Sequence, residues 1–557
     1  MDNYSIADHF SLLSKLMDIH GDNSFKAKSY AAAAFTIEKL PVELSTLPHE
    51  KIFSIKGIGD AIGKKIIEQL ETGQLSALTE YLEKTPQGII EMMNIKGIGP
   101  KKIATIWKEL EIETLGELLY ACNENRLTLY RGFGEKTQLN IRNAIEFYFS
   151  TLGSYLYQQI ESYATVLDQK LKEVFRGQQF FLTGEYRRQL EIINRLEWVT
   201  TVPAGAIKDF FTEQEYEITA SDGNFISLKG RENVSLSFYS CTPEAIHRQL
   251  FLTSCSEEFL QAWKKLHDIE AVADYPDEEK IFEAAGITFI PAYRREKAAI
   301  LEQARNGVLP EVITPQDITG IIHCHSKWSD GASALDDMAQ AAIDQGYQYL
   351  VISDHSKSAF YAGGLNEEKV MAQHKQIEEL NSRLAPFRIF KSIESDILND
   401  GSLDYSNEVL ASFDLVIASV HSNLKMSEEK AMMRLIKAIE NPYTSILGHM
   451  TGRLLLSRNG YPVDHRKIID ACAANQVVIE LNAHPRRLDI DWRWIDLATE
   501  KGVLISIDPD AHAIDGFNDC RYGVFVAQKA GLRREQNLSS FSLAEFESFV
   551  QLQQRKR

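Results

Sequence analysis

The chain has 557 residues, 44% hydrophobic and 25% charged, a make-up that fits several globular domains with sizeable cores. No apolar run approaches the ~20 residues of a membrane span, and Met1-Asp2-Asn3-Tyr4 is too polar for a signal peptide, so a cytoplasmic protein without membrane contact is expected. The net charge of -18 argues against a generally basic nucleic-acid binder while leaving room for local phosphate contacts, and the six cysteines, with no CxxC pair, read as free thiols of a reducing compartment.

Residues 1–80 read as helical. Ile6, Phe10, Leu13, Leu16 and Met17 share helical spacing, and the alanine-rich run from Tyr30 to Phe35 lets helices approach closely. A short repeat follows. Ile55-Lys56-Gly57-Ile58-Gly59 leads into a helix beginning near Ala61 that carries Lys64 and Lys65. Within residues 81–150, Ile95-Lys96-Gly97-Ile98-Gly99 leads into Pro100-Lys101-Lys102-Ile103, and Arg131-Gly132-Phe133-Gly134-Glu135-Lys136 is a weaker third copy. The element resembles the helix-hairpin-helix. Gly57, Gly59, Gly97 and Gly99 permit the tight hairpin, amides at the next helix N-terminus can cradle a DNA phosphate without reading sequence, and Lys64, Lys101 and Lys102 add charge.

Around the first copy, the run from Asn23 to Tyr30 followed by Gly57-Ile58-Gly59 and Lys64-Lys65 resembles the N-terminal lyase domain of family X DNA polymerases. The resemblance implies a lysine able to form a Schiff base with an abasic sugar, and Lys65 matches that position best. A lysine is a nucleophile only when burial or a neighbouring cation, here Lys64, lowers its pKa. A phosphate-contacting or solvated lysine is the other reading of Lys65.

Residues 151–300 carry an altered resemblance to the same family. The run from Phe180 to Glu191 is similar to its Gly-Ser-x-Arg-Arg motif with a Glu three residues on: Gly184, Arg187 and Arg188 match, and Glu185 replaces the serine. Family members continue to an Asp-x-Asp pair and a third Asp that hold two Mg²⁺. Here Arg195 and Glu197 stand at the pair, Ser235 stands near the third, and Leu252-Thr253-Ser254-Cys255 replaces the usual Thr-Gly-Ser. Two-metal nucleotidyl transfer needs about three carboxylates, and a guanidinium does not deprotonate. A palm-like domain without polymerase activity is therefore expected. The alternative is a working site with displaced carboxylates such as Glu191 and Glu197. Arg187 and Arg188 read either as DNA contacts or as ordinary surface arginines, and residues 301–317 as a linker.

From 318 to 557, short apolar runs repeatedly stop at single histidines and acids. Ile321-Ile322 ends at His323 and His325, with Asp330 beyond. Further runs end at Asp354-His355, at Glu394, at His421, at His449, and at Asp510 and His512. This is the layout of barrel strands delivering side chains to one rim, and such N/O ligands suit two or three divalent metals. Periodicity places helices over 334–345 and 367–383, and strands over 349–353, 388–393, 415–420, 445–448, 477–481 and 503–507. The stretch resembles the polymerase and histidinol phosphatase (PHP) superfamily, in the copy fused behind bacterial family X polymerases.

That resemblance implies a multidomain α and α/β chain: an N-terminal helical helix-hairpin-helix region, a family X polymerase-like palm, and a C-terminal PHP domain with a distorted (β/α)7 barrel. It implies His323, His325, Asp330, His355, Glu394, His421, His449, Asp510 and His512 as ligands of two to three Mn²⁺, Zn²⁺ or Fe²⁺ ions, with Glu394 bridging and Glu394 and His355 catalytic. Asp354 and Ser356 flank His355 and orient it or touch substrate. Arg453 and Arg487 bind phosphate or form salt bridges within the barrel. His374, His465 and His484 fall outside the matched motifs and read as surface or packed residues. The implied function is that of a PolX-type DNA-repair protein, monomeric and nucleoid-associated. It would hold gapped or nicked DNA, or DNA with 3′ ends, by the backbone and act as a 3′-5′ exonuclease or 3′-end processing enzyme, with AP-site cleavage also open. The rivals are an active polymerase with rearranged ligands, a phosphatase of a small phosphomonoester, and a non-catalytic DNA-binding adaptor.

Overall fold

A computed structural model describes residues 3–557 except 39, 41, 151–152, 231–232, 268–274 and 308. The opening Met1-Asp2 and the expected domain start at 151 lie outside the described residues. The chain divides into two compact units, Met1–Cys122 with Tyr130–Glu146, and Asn123–Leu129 with Phe147–Arg557.

In the smaller unit, helices Asn3–His20 and Ser24–Glu38 pair. Ile6, Phe10, Leu13 and Leu16 form the buried face of the first, and Ala27, Ala33 and Ala34 on the second leave room for it. The repeat gives three hairpins of one geometry. Gly57, Gly97 and Gly132 have φ of 96°, 96° and 95°, a left-handed conformation that disfavours any side chain, so the weak third copy makes the same turn as the other two. Helices Asp60–Thr72, Pro100–Lys108 and Glu135–Ser150 start directly after the second glycine of each copy. The expected division at residue 80 crosses packed structure. His20 sits edge-on to Trp107 at 5.1 Å, and Lys108 donates to the His20 carbonyl, because the first helix buries residues along more than one side.

The larger unit opens with a mixed five-stranded sheet in the order Phe180–Thr183, Leu196–Thr200, Ser235–Ser240, Phe225–Lys229, Glu217–Asp222. Trp198 stacks on Phe238 at 5.2 Å in its core. A second core gathers Phe251, Phe259, Trp263 and Phe282, and helix Ala299–Arg305 contributes Ile300, Leu301 and Ala304 to it. The expected linker at 301–317 thus begins inside a packed helix, whose apolar face fixes it to the preceding region.

The C-terminal part is a seven-stranded parallel sheet with strands in sequence order, Gly320–Cys324, Tyr349–Ile352, Arg388–Asp396, Leu415–Ser419, Ile446–Leu447, Val478–Asn482 and Ile505–Asp508. A bridge between Cys324 and Ala511 brings first and last together, so the sheet is a nearly closed barrel. Strands covered on both faces need continuous apolar runs, which explains the Val- and Ile-rich segments. Inside, Ile322, Val351, Phe390, Leu415, Ile417 and Ile446 pack against Phe546 and Val550 of the C-terminal helix Leu543–Arg555. Phe546 stacks on Tyr349, the first residue of its strand, at 4.3 Å, so this helix covers the N-terminal end of the barrel. The opposite rim is left for chemistry.

Candidate metal centre

All nine histidines and acids named above meet at the C-terminal rim of the barrel. Glu394, near the end of its strand, is the hub. Its Oε1 lies 3.0 Å from His421 Nε2, 3.0 Å from His449 Nε2 and 3.3 Å from His323 Nε2. Its Oε2 lies 2.9 Å from His355 Nδ1 and 3.7 Å from His325 Nε2. Asp510 Oδ1 approaches His325 Nε2 at 3.0 Å and His323 Nε2 at 3.5 Å, and Asp330 faces His355 and His512, each at 3.5 Å. Three overlapping groups have metal-binding geometry: His325, Asp330, His355 and His512; His323, His325 and Asp510; His355, Glu394 and His421.

Two strand ends bend to achieve this. His323 and Asp510 have φ of 58° and 51°, left-handed for non-glycine residues, and the pairing register shifts between Ile321 and Cys324. Such conformations cost on the order of 1–3 kcal/mol each and persist where the surroundings hold them. Several atoms of these side chains are buried without a hydrogen-bond partner: His323 Nε2, His325 Nδ1, Asp330 Oδ2, both ring nitrogens of His355, Glu394 Oε2, His449 Nδ1 and His512 Nε2. His355 Nδ1 is close to Glu394 but not aligned with it for a hydrogen bond. Orphaned polar atoms of this kind each cost about 1–3 kcal/mol unless something satisfies them. An oxygen- and imidazole-lined cluster of them fits divalent metal ions.

The protonation pattern agrees. Burial opposes a charge on His323 and His355, but the carboxylates Glu480, Asp510 and Glu394 beside the first, and Asp330 and Glu394 beside the second, outweigh it and raise both well above the ordinary range. His512 is likewise raised to about 9, against burial, by Glu124 and Asp330. His325 is lowered to about 3 by burial and by His512 and His355. Glu394 is held well below the usual carboxylate range against its burial, by His421, His323 and His355.

A second ring of residues orients the first. Glu480, fully buried, bonds His323 Nδ1 with one oxygen and accepts from the His449 backbone amide with the other at 2.9 Å. Asn482 bridges Glu480 and Asp510 at 3.0 Å each. Asp396 bonds His421 Nδ1. Asp354 accepts from Ser326, Ser329 and Gln373, and so fixes the loop that presents Asp330. Ser356 Oγ accepts from the Asp396 amide at 2.9 Å. Glu480, Asn482 and Asp396 were missed at the level of sequence. The first is a lone acid in Val477-Val478-Ile479-Glu480-Leu481, the same signal that marked Glu394, and Asp396 shares a strand face with Glu394.

Arg487 lies 3.7 Å from Asp510, beside the cluster. Arg453 is spent elsewhere, on Asp491 at 2.6 Å and on the carbonyls of Arg487 and Leu488. His374 packs edge-on to Phe413 and His465 stacks on Trp494, while half-buried His484 accepts from the Arg486 amide at 3.2 Å.

The palm residues do not form a comparable cluster. Glu197 accepts from Tyr239 at 2.9 Å, and burial raises its pKa. It is pressed against Gly184, whose φ of 62° and whose closeness to Glu197 Oε2 both disfavour a side chain there. Arg195 is exposed, and the serine paired with Glu197 is Ser237, two residues beyond Ser235. Glu185 accepts from the Asn194 amide at 2.7 Å. Arg187 pairs with Glu278 and bonds Ser254, and Arg188 pairs with Glu296 at 3.0 Å. In the smaller unit, Gly57, Gly59, Gly97, Gly99, Lys64 and Lys101 are exposed, whereas Lys65 and Lys102 are half-buried.

Comparison with known proteins agrees with this layout. A "Helix-hairpin-helix domain" model matches residues 1–75, a "SAM-like Helix-hairpin-helix tandem" model 89–146, and a "PHP domain" model 322–484. The "DNA polymerase/3'-5' exonuclease PolX" of Bacillus subtilis (strain 168) is 30% identical over 554 residues, covering 96% of each chain. A probable phosphatase of Caldanaerobacter subterraneus subsp. tengcongensis is 30% identical over 207 residues, 34% of this chain and 74% of its own. Among the described residues, no helix is long and apolar enough to cross a membrane. Full-length similarity, paired helix-hairpin-helix modules and the PHP barrel together place the chain in the PolX family.

Proposed function

We propose that this protein is a metal-dependent phosphoesterase of DNA repair, which trims DNA 3′ ends in its barrel and holds the duplex backbone with its hairpins. The observation that carries the reading is the convergence of His323, His325, His355, His421 and His449 on Glu394, with Asp330, Asp510 and His512 packed against these histidines and many of the atoms left without a protein partner. Divalent ions held by His323, His325, Asp330, His355, Glu394, His421, His449, Asp510 and His512 would supply Lewis-acid activation of water and neutralise charge on phosphoryl oxygens. Glu394 presents two oxygens to different neighbours, and His355 faces both carboxylates that flank it. Glu480 and Asp396 fix the tautomers of His323 and His421. Asp354 and Ser356 act by positioning, and Arg487 is the arginine placed for a phosphoryl oxygen.

In this reading residues 1–80 and 81–150 grip DNA through Gly57, Gly59, Lys64, Gly97, Gly99, Lys101 and Lys102, with Lys65 the residue to test for Schiff-base formation. Residues 151–300 form a scaffold without nucleotidyl transfer. What supports this is the position of the family's carboxylate pair, where Glu197 is engaged by Tyr239 and Arg195 is exposed. The phosphatases that match the barrel favour the rival reading, a small phosphomonoester. One experiment separates the two. Turnover of 3′-labelled DNA is compared with that of p-nitrophenyl phosphate, in wild type and His355→Ala, with Mn²⁺. DNA shortening from the 3′ end at a kcat/KM far above the ester, lost in His355→Ala, is expected. Preference for the ester overturns the reading.

A further inference from the structure

Residues that lie outside the barrel in sequence pack beside Asp330 of the metal centre. The segment Asn123–Leu129 belongs to the larger unit, and its turn Arg126–Leu129 packs on the turn Phe360–Ala362. There the Arg126 guanidinium lies over the Tyr361 ring at 5.1 Å, pairs with Glu124 at 2.6 Å, and brings Nε to 3.6 Å from Asp330 Oδ2. Its side chain is only 16% exposed. The Tyr361 hydroxyl is buried and has no hydrogen-bond partner among the described residues, and its ring lies 6.5 Å from that of His355. The adjacent Phe360 is 80% exposed.

These residues make a coherent set. A nearly buried guanidinium stands at a ligand carboxylate, and the orphaned hydroxyl beside it is a donor that the local protein does not use. A divalent ion on Asp330 would take up the charge that now faces Arg126. A planar guanidinium fork matches the oxygens of a phosphate. The exposed ring of Phe360, 6.2 Å from that of Tyr361, offers a face on which a base can stack.

We infer that Arg126, with the Tyr361 hydroxyl as second donor, positions the phosphodiester at the barrel centre, and that Phe360 stacks the terminal base of the strand. The inference rests on the nuclease reading above. It adds a substrate-positioning residue from outside the barrel and a reason for preferring a nucleotide over a small ester.

The test uses the full chain and the variants Arg126→Ala, Arg126→Lys, Tyr361→Phe and Phe360→Ala. Kinetics are measured on 3′-labelled DNA and on bis(p-nitrophenyl) phosphate, a diester without a base. Oligothymidylate binding is measured by fluorescence anisotropy with Ca²⁺, alongside bound-metal content. Arg126→Ala should raise KM for both diesters by roughly tenfold or more with metal content unchanged, and Arg126→Lys should recover only part of it. Tyr361→Phe should act in the same direction with a smaller effect. Phe360→Ala should weaken oligothymidylate binding about fivefold or more and raise KM for DNA more than for the base-free diester. Unchanged KM and binding in Arg126→Ala and Tyr361→Phe overturn the inference. So does faster hydrolysis in Arg126→Ala, which would make the segment an inhibitory plug. If wild type cleaves neither diester, the nuclease reading fails, and the anisotropy series still decides whether Arg126 and Phe360 hold a strand.

Discussion

The palm sheet and the barrel rim answer the same electrostatic problem in opposite ways. Each places polar side chains at the ends of apolar strands. In the palm these groups are matched within the protein: Glu197 has Tyr239, Glu185 has Asn194, Arg187 has Glu278, and Arg188 has Glu296. In the barrel the histidines and acids crowd together, and several of their atoms have no such partner. Concentrated carboxylates and bare imidazoles are unfavourable unless cations arrive, so a protein keeps them where cations bind. In the proposed reading the first site is a scaffold and the second a receptor for cations.

The contrast can be tested by degrees. The largest effect is expected at the hub. Glu394→Gln should abolish hydrolysis, a loss beyond the roughly 10–100-fold that outer-ring changes cause, with reduced metal content after dialysis. Glu480→Gln should fall within that range of about 10–100-fold for metal affinity, because it frees the His323 ring without removing a ligand. Titration calorimetry in buffers of different ionisation heat would measure it.

The same calorimetry reads the protons. His512, with a pKa of about 9, and the raised His323 and His355 are protonated near pH 7 in the metal-free protein. Binding must displace those protons, so affinity should climb with pH toward about 9 and proton release should be measurable at about pH 7. Flat affinity between about pH 6 and 8 would contradict the arrangement.

Smaller effects are expected at the hairpins and the palm. Of the three hairpin helices, only Pro100–Lys108 has no acid in its first turn; Asp60 and Glu135 occupy the others. Lys101→Ala with Lys102→Ala should therefore weaken DNA binding more than Lys64→Ala, lowering the salt slope by about 1 for each phosphate no longer neutralised. Glu197→Gln should leave hydrolysis unchanged and leave thermal stability unchanged or slightly raised at neutral pH. Its folded pKa lies above the unfolded value, so its carboxylate form costs stability once pH passes through that interval.

Much of this was legible in sequence because the signals were local. Runs such as Val416-Ile417-Ala418-Ser419-Val420 before His421 announce a buried strand and the side chain at its end, and the duplicated Ile-Lys-Gly-Ile-Gly announces a turn that needs glycine. What was not legible depends on long-range packing. Glu480 carries the signal of a ligand, yet faces the ligands from behind. The left-handed backbone of His323 follows from the barrel closing. Nothing near Arg126 in the sequence points to Asp330, which lies about two hundred residues away along the chain. The apolar face of Ala299–Arg305, read as part of a linker, needed Trp263 and Phe282 to give it a partner.

One open centre in the barrel and a settled site in the palm make opposite demands on a primer terminus. The assay that separates them uses 3′- and 5′-labelled primer-template with Mn²⁺ and all four dNTPs, with wild type, His355→Ala and Glu197→Ala. Shortening from the 3′ end by wild type and Glu197→Ala, none by His355→Ala, and no extension by any of the three is expected. Templated extension by wild type that disappears in Glu197→Ala would contradict it.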